Sequence, residues 1–285
     1  MKEILEGKKI VVYEVVPPRG ANLDKCMRLC DEMLEAGVST IAVTDMPTSR
    51  VKVAPWAVGR LLVEKGVDPL IHFTRISRNL LRIESDLLGI HALGMRNVLI
   101  LSGDDPKGGD YPSATAVNDL STSQLIKLVK EMNEGRDLAG KKLLGKTEFL
   151  VGGVFNPHVE WDLKRAEDKV NAGADFLISQ PVYKPEVMEK ARRVLSVPIL
   201  VSVAFFSSFR QLEYFSKIPG IEIPTKLIED LEGKGDEYVE EKSFEYLLGV
   251  IEKIFPLVNG LYISGIVKSP QRVRRLVEFA RDLQS

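Results

Sequence analysis

The chain has 285 residues, 45% of them hydrophobic and 28% charged, with a formal net charge of −1. That length can bury one large core, and the balanced charge excludes the basic field that draws nucleic acid. No apolar run approaches the roughly 20 residues that cross a bilayer, and the opening MKEILEGKKI lacks the apolar core of a secretory signal, so a cytoplasmic protein without a membrane partner is expected.

In chain order, short β-branched runs alternate with amphipathic stretches. Runs at 9–15, 40–44, 69–74, 97–103, 148–154, 175–180, 198–204 and 260–265 read as strands. Between the first two, the segment 23–37 sets Leu23, Met27, Cys30 and Leu34 at helical spacing before a terminating Gly37. Segments 78–93 and 161–173 repeat that design. Eight strands with intervening helices predict an α/β protein, a (β/α)8 TIM barrel of one domain over 1–285 with a helical excursion near 220–242. An open doubly wound sheet is the alternative, since alternation alone does not impose closure.

Two connections are long: 103–121, rich in Gly, Asp, Pro and Ser, and the excursion before the last strand, whose acidic run 229–242 reads as solvated surface. Cys26 and Cys30 share a helix face and read as buried reduced thiols. His72, His91 and His158 are too far apart in sequence for a zinc signature, and no metal is expected. The string GKKLLGKT at 140–147 matches the phosphate-loop pattern, but it follows a predicted helix and precedes a strand. A phosphate loop needs the reverse order, because the amides that hold phosphate belong to a helix amino terminus.

Polar residues at the carboxyl ends of barrel strands face the active site. That rule selects Glu14, Thr44 with Asp45, His72 with Thr74, Asp104 with Asp105, and Gln180. Glu14 interrupts the apolar run VVYEVV, where a carboxylate either meets a basic partner or serves as a proton donor. Gly103 permits close backbone approach beside Asp104, which reads either as an active-site anion or as a turn cap. The Gln180 amide can both donate to and accept from a heterocycle edge, whereas His72 reads equally well as a satisfied core histidine.

Taken together, YEVVPPRG (13–20), IHFTRISRN (71–79), GIHALGMRNVLILSGDDPKG (89–108), VGGVFNPH (151–158) and WDLKRAEDKVNAGADFLISQP (161–181) resemble, in the same order, the methylenetetrahydrofolate reductase family. The resemblance implies a flavin, FAD or alternatively FMN, that carries hydride in ping-pong fashion from NADH or NADPH to 5,10-methylenetetrahydrofolate or a related pterin. It places the chain in one-carbon metabolism that feeds methionine biosynthesis. It further implies Glu14 as general acid, Asp104 as the charge that tunes the flavin, and Gln180 and Phe209 as substrate contacts. Thr44, His72, Ser102, Gly103, Asp104, Asp162 and Lys169 become flavin contacts, with Lys169 directed to the phosphates.

Two departures stand out. Ser102 occupies a place where several relatives carry arginine, and GLYISGIVKSP (260–270) lacks the family's histidine and Asn-Arg pattern, leaving Lys268 as a loose substitute. Self-association, or a partner reductase or methyltransferase subunit, follows by analogy only. The competing readings are a non-redox lyase or aldolase using Glu14 with Asp104, and a pterin- or flavin-binding subunit of a methyl-transfer complex. A Schiff-base version lacks a strand-end lysine.

Overall fold

Alternation along each strand sends every second side chain into the barrel and the others toward the helices, and both sets are apolar for most of the strand length. The computed structural model describes residues 1–218 and 220–284. Its strands are β1 (Ile10–Val15), β2 (Thr40–Val43), β3 (Leu70–Thr74), β4 (Asn97–Leu101), β5 (Leu150–Phe155), β6 (Phe176–Ser179), β7 (Ile199–Val203) and β8 (Gly260–Ile263). All neighbours are parallel, and β8 returns to β1 with Ile10 opposite Gly260 and Tyr13 opposite Ile263. The sheet is therefore a closed eight-stranded barrel, and the open-sheet alternative falls.

The helices are α1 (Asp24–Glu35), α2 (Pro55–Glu64), α3 (Leu80–Ala92), α4 (Thr122–Asn133), α5 (Glu160–Asn171), α6 (Glu186–Val194), α7 (Phe209–Ser216), α8 (Thr225–Leu231), α9 (Asp236–Ile254) and α10 (Pro270–Asp282). Their starts are written in the sequence. Asn79 accepts from the Arg82 N–H at the head of α3, Ser121 and Gln124 form a reciprocal capping box on α4, and Ser269 precedes Pro270 at the first position of α10. Among the described residues, no helix is long and apolar enough to cross a membrane.

The core has two main layers. Outward residues such as Val11, Tyr13, Ile41, Phe73 and Ile100 pack under the helices, while Ile10, Val12, Ala42, Leu70, Leu99, Phe176 and Leu200 fill the barrel. Gly152 belongs to the inner layer: a Cβ there would lie 2.3 Å from the Phe176 ring, so the large residue on β6 depends on the missing side chain on β5. A third cluster, around Phe206, Leu212, Phe215, Leu231 and Val239, seats α7, α8 and the start of α9 beside the barrel.

Cys26 and Cys30 are buried free thiols on α1, and the hydrogen bond between them together with burial pushes the Cys30 thiol up. GKKLLGKT lies in the connector between α4 and β5, where Arg136 bridges Lys142 and the Thr147 hydroxyl donates to Asn133 Oδ1 at 2.7 Å. β4 ends at Leu101, two residues before the predicted end. Gly103, at φ +80, has left the strand, and a Cβ on it would lie 2.4 Å from Ile76.

Candidate active site

The inward parity that builds the inner core turns polar in the last layer. Glu14 follows Val12 on β1, Thr44 follows Ala42 beyond β2, His72 follows Leu70 on β3, and Gln180 follows Ile178 beyond β6. These four residues, with Ser102, Gly103 and Asp104, line a cleft of about 270 Å³ at the carboxyl ends of the strands. The same cleft is lined by Asp45 and Thr74, so the barrel brings together seven of the eight strand-end residues marked from sequence, all but Asp105, and Ser102 with them.

Among the described residues, Glu14 has no basic partner. Its Oε2 accepts from the Tyr262 hydroxyl at 2.7 Å, and its Oε1 accepts from the Gly265 N–H at 3.2 Å. Gly265 must lack a side chain to come so close, since a Cβ there would sit 2.8 Å from the Glu14 carbonyl oxygen. Tyr262 Oη also lies 2.8 Å from His72 Nε2, so three side chains from β1, β8 and β3 form one hydrogen-bonded row. Burial holds the His72 imidazole below the ordinary histidine value, against the opposing pull of Glu14 and Asp45. Burial, and then the Glu14 charge, holds the Tyr262 phenol well above its ordinary value, so it stays a hydroxyl. Tyr262 escaped the strand-end rule because a tyrosine in an apolar run reads as core. Its inward parity on β8 was the available signal.

The remaining wall carries polar groups that the described residues leave uncommitted. Thr44 is buried, and its Oγ1 has no hydrogen-bond partner among the described residues, an arrangement that native interiors seldom leave unresolved. The Gln180 amide is exposed, while its backbone N–H is already committed to Phe155. Ser102 is exposed beside Gly103, so backbone and hydroxyl are both open to an approaching planar group.

Asp45 and Asp104 hold the loops. Asp45 accepts from the Thr74 N–H and hydroxyl and takes a two-pronged contact from Arg78, at 2.8 and 3.2 Å. Arg78 in turn lies over the rings of Phe73 and Trp56. Asp104 accepts from the Thr48 N–H at 2.6 Å, and its carbonyl accepts from the Ser49 hydroxyl. Asp110 adds the Val51 N–H at 2.9 Å and a contact from Arg19 of the PPRG turn at 3.3 Å. Together these bonds fasten the β2–α2 loop to the β4–α4 loop. The fastened segment carries Met46, Thr48 and Ser49 in left-handed conformation at φ 47, 58 and 52. A side cavity of about 130 Å³ opens between the two loops and shares Asp45, Thr74, Gly103 and Asp104 with the main cleft.

Asp162 accepts from the Asn156 N–H at 2.7 Å in the first turn of α5. Lys169 is buried on the same helix, and its amine donates to the Val154 carbonyl under the cleft wall; burial holds its pKa below the ordinary lysine value, with Asp162 opposing. Phe209 sits elsewhere: it opens α7 and packs, half-buried, on the third cluster. Lys268 is exposed and lines a separate groove with Ser207, Gln211 and Glu240.

The sequence profile of the family described as methylenetetrahydrofolate reductase matches residues 1–269. A Caenorhabditis elegans relative, "Probable methylenetetrahydrofolate reductase (NADPH)", is 24% identical over 273 residues, covering 90% of this chain and 39% of its own length. The chain therefore spans about two fifths of that relative. The "5,10-methylenetetrahydrofolate reductase" of Pectobacterium carotovorum subsp. carotovorum is 22% identical over 232 residues, covering 77% of this chain and 72% of its own. Among solved structures, a Clostridium thermocellum protein described as binding two copies of 5-methyl-5,6,7,8-tetrahydrofolic acid superimposes with a TM-score of 0.67 at 17% identity, over 99% of this chain and 98% of its own; this likeness is one of fold.

Proposed function

Because the chain belongs to the methylenetetrahydrofolate reductase family, we propose that it is a flavin-dependent oxidoreductase reducing 5,10-methylenetetrahydrofolate, or a related pterin, to the 5-methyl form. The observation that carries this reading is the carboxyl side chain of Glu14 at the floor of a cleft whose walls offer an unpartnered Thr44 hydroxyl and an uncommitted Gln180 amide. These residues fit a flavin ring: Thr44 and Ser102 can bond its polar edge, and Gly103 lets the backbone approach its face. When bound, a flavin supplies two-electron hydride transfer. The NADPH in the printed name of the Caenorhabditis elegans relative favours a nicotinamide donor.

The chain's own residues then have distinct tasks. Glu14 gives its proton to the ring nitrogen of the substrate, which opens the five-membered ring to a cationic iminium that accepts hydride. Gln180 bonds the pterin edge. Asp104 sets a negative charge at the cleft rim, and Lys169 with Asp162 supports the wall at the end of β5.

A visible spectrum of the purified protein titrated with FAD, and then with FMN, tests the cofactor. Anaerobic mixing of the reduced holoenzyme with methylenetetrahydrofolate tests the reaction. The expected result is a flavin band that bleaches with NADH or NADPH and returns with the folate. In Glu14→Gln the flavin stays bound and the return slows by about 100-fold or more. An unchanged return removes the acid role, and a protein that takes up neither flavin removes the mechanism.

A further inference from the structure

Within that reading, we propose that Glu14 is re-protonated through a reversible hydrogen-bond chain in which Tyr262 relays a proton delivered by His72. The row is continuous: Glu14 Oε2 to Tyr262 Oη at 2.7 Å and Tyr262 Oη to His72 Nε2 at 2.8 Å. The direction of its bonds is fixed by counting protons. Tyr262 has one hydroxyl proton, and an ionised Glu14 can only accept, so the proton points to Glu14 and His72 must donate through Nε2–H. A neutral imidazole in that arrangement leaves Nδ1 as its acceptor.

The chain reverses when Glu14 carries the proton. Gly265 N–H is an obligate donor fixed on Oε1, so the acid proton sits on Oε2 and points at Tyr262, whose own proton turns to His72 Nε2. His72 is then neutral with its proton on Nδ1. The recharging step balances: Nδ1 takes a proton from hydronium or a buffer acid at the cleft mouth, leaving water or the buffer base, the Nε2 proton passes to Tyr262, the Tyr262 proton passes to Glu14, and neutral Nδ1–H histidine remains. No electrons move. The charged groups bearing on His72 are Glu14 from β1 and Asp45 from the end of β2, both of which favour transient protonation, while burial makes the imidazolium quick to surrender its proton. Tyr262 touches neither substrate nor flavin in this scheme and acts through Glu14 as a positioning and relay residue.

The test has one readout that needs no turnover. The chain holds only three histidines, so nitrogen-15 spectra of the imidazoles can be assigned with His91→Gln and His158→Gln. In the wild-type protein with Glu14 ionised, at the alkaline end of a pH series, His72 should be the Nε2–H tautomer. Glu14→Gln imitates the protonated acid: its oxygen faces Gly265 N–H, its NH2 faces Tyr262, and His72 should switch to the Nδ1–H tautomer. Adding Tyr262→Phe should abolish any effect of Glu14→Gln on the tautomer. A His72 tautomer unchanged by Glu14→Gln, or still switched by it in the Tyr262→Phe background, overturns the relay.

In the holoenzyme, Tyr262→Phe should slow folate-dependent flavin reoxidation by roughly tenfold to 100-fold, with the folate KM held within about twofold. His72→Gln, which keeps a donor to Tyr262 but cannot carry charge, should slow it similarly. Loss in Tyr262→Phe alone would leave Tyr262 a simple orienting group and overturn the role of His72. If the tautomer switches as expected while the wild-type protein reduces no folate, the chain stands and the functional reading fails.

Discussion

Glu14 and Asp104 are both carboxylates at strand ends, yet their surroundings assign them different work. Glu14 receives one hydroxyl and one amide and, among the described residues, sits against no cation, whereas Asp104 is exposed and already grips the Thr48 N–H. Asp104→Asn keeps an oxygen for that bond and removes the charge, so flavin binding should persist while folate-dependent reoxidation slows by about tenfold. Stopped-flow absorbance checks this, and a rate equal to wild type would leave Asp104 a loop fastener only. Glu14, Thr44 and Gln180 were legible in the sequence because a polar residue at inward parity near a strand end has few structural uses, whereas His72 read equally well as a satisfied core histidine. Tyr262 was hidden by its chemistry, since its ring satisfies the inner core and its hydroxyl matters only once β8 lies beside β1. Phe209 follows from motif order, and its packing on the third cluster depends on where α8 and α9 dock, which the expectation of a helical excursion near 220–242 does not fix.

At the scale of elements, Gly152 on β5 stands opposite Phe176 on β6 and leaves the room that its ring fills. Gly152→Ala should destabilise the protein by about 1–3 kcal/mol, because the ring is walled in and cannot move aside freely. A urea titration reads the change, and an unaltered midpoint would mean that the inner layer relaxes at no cost. The loop fastening makes a second expectation. A Cβ on Gly109 would fall 2.1 Å from the Ser49 carbonyl oxygen, so Gly109→Ala should separate the two loops and speed limited proteolysis within 46–51 and 104–114 while far-ultraviolet dichroism stays constant. Strands and the amphipathic helices between them were readable from alternation, helical spacing and glycine stops. The left-handed run at Met46, Thr48 and Ser49 was not, because non-glycine residues adopt it there only against Asp104 and Asp110, more than fifty positions away.

For the whole molecule, all three imidazoles are held below the ordinary histidine value of 6.5, in each case chiefly by burial. The sign follows directly: below about pH 6.5 the unfolded chain takes up protons that the folded one refuses, so stability present at neutral pH declines as the pH falls toward 5. Thermal melts at pH 7.5 and 5.5 should show a lower midpoint at the acid value, and equal midpoints would mean that the imidazoles gain protons without penalty. Barrel closure itself was within reach of the eight-strand count but not given by it, since the β1–β8 pairing is a contact between the two ends of the sheet. That pairing has a consequence for biosynthesis. The partner of Glu14 lies 248 positions downstream, so a nascent chain holds the acid for almost its entire length without the hydroxyl that completes it. The ribosome must finish the last strand before this row of side chains can exist, and a chain cut short before Tyr262 lacks both the hydroxyl that bonds Glu14 and the strand that closes the barrel, however well its first seven strands are made.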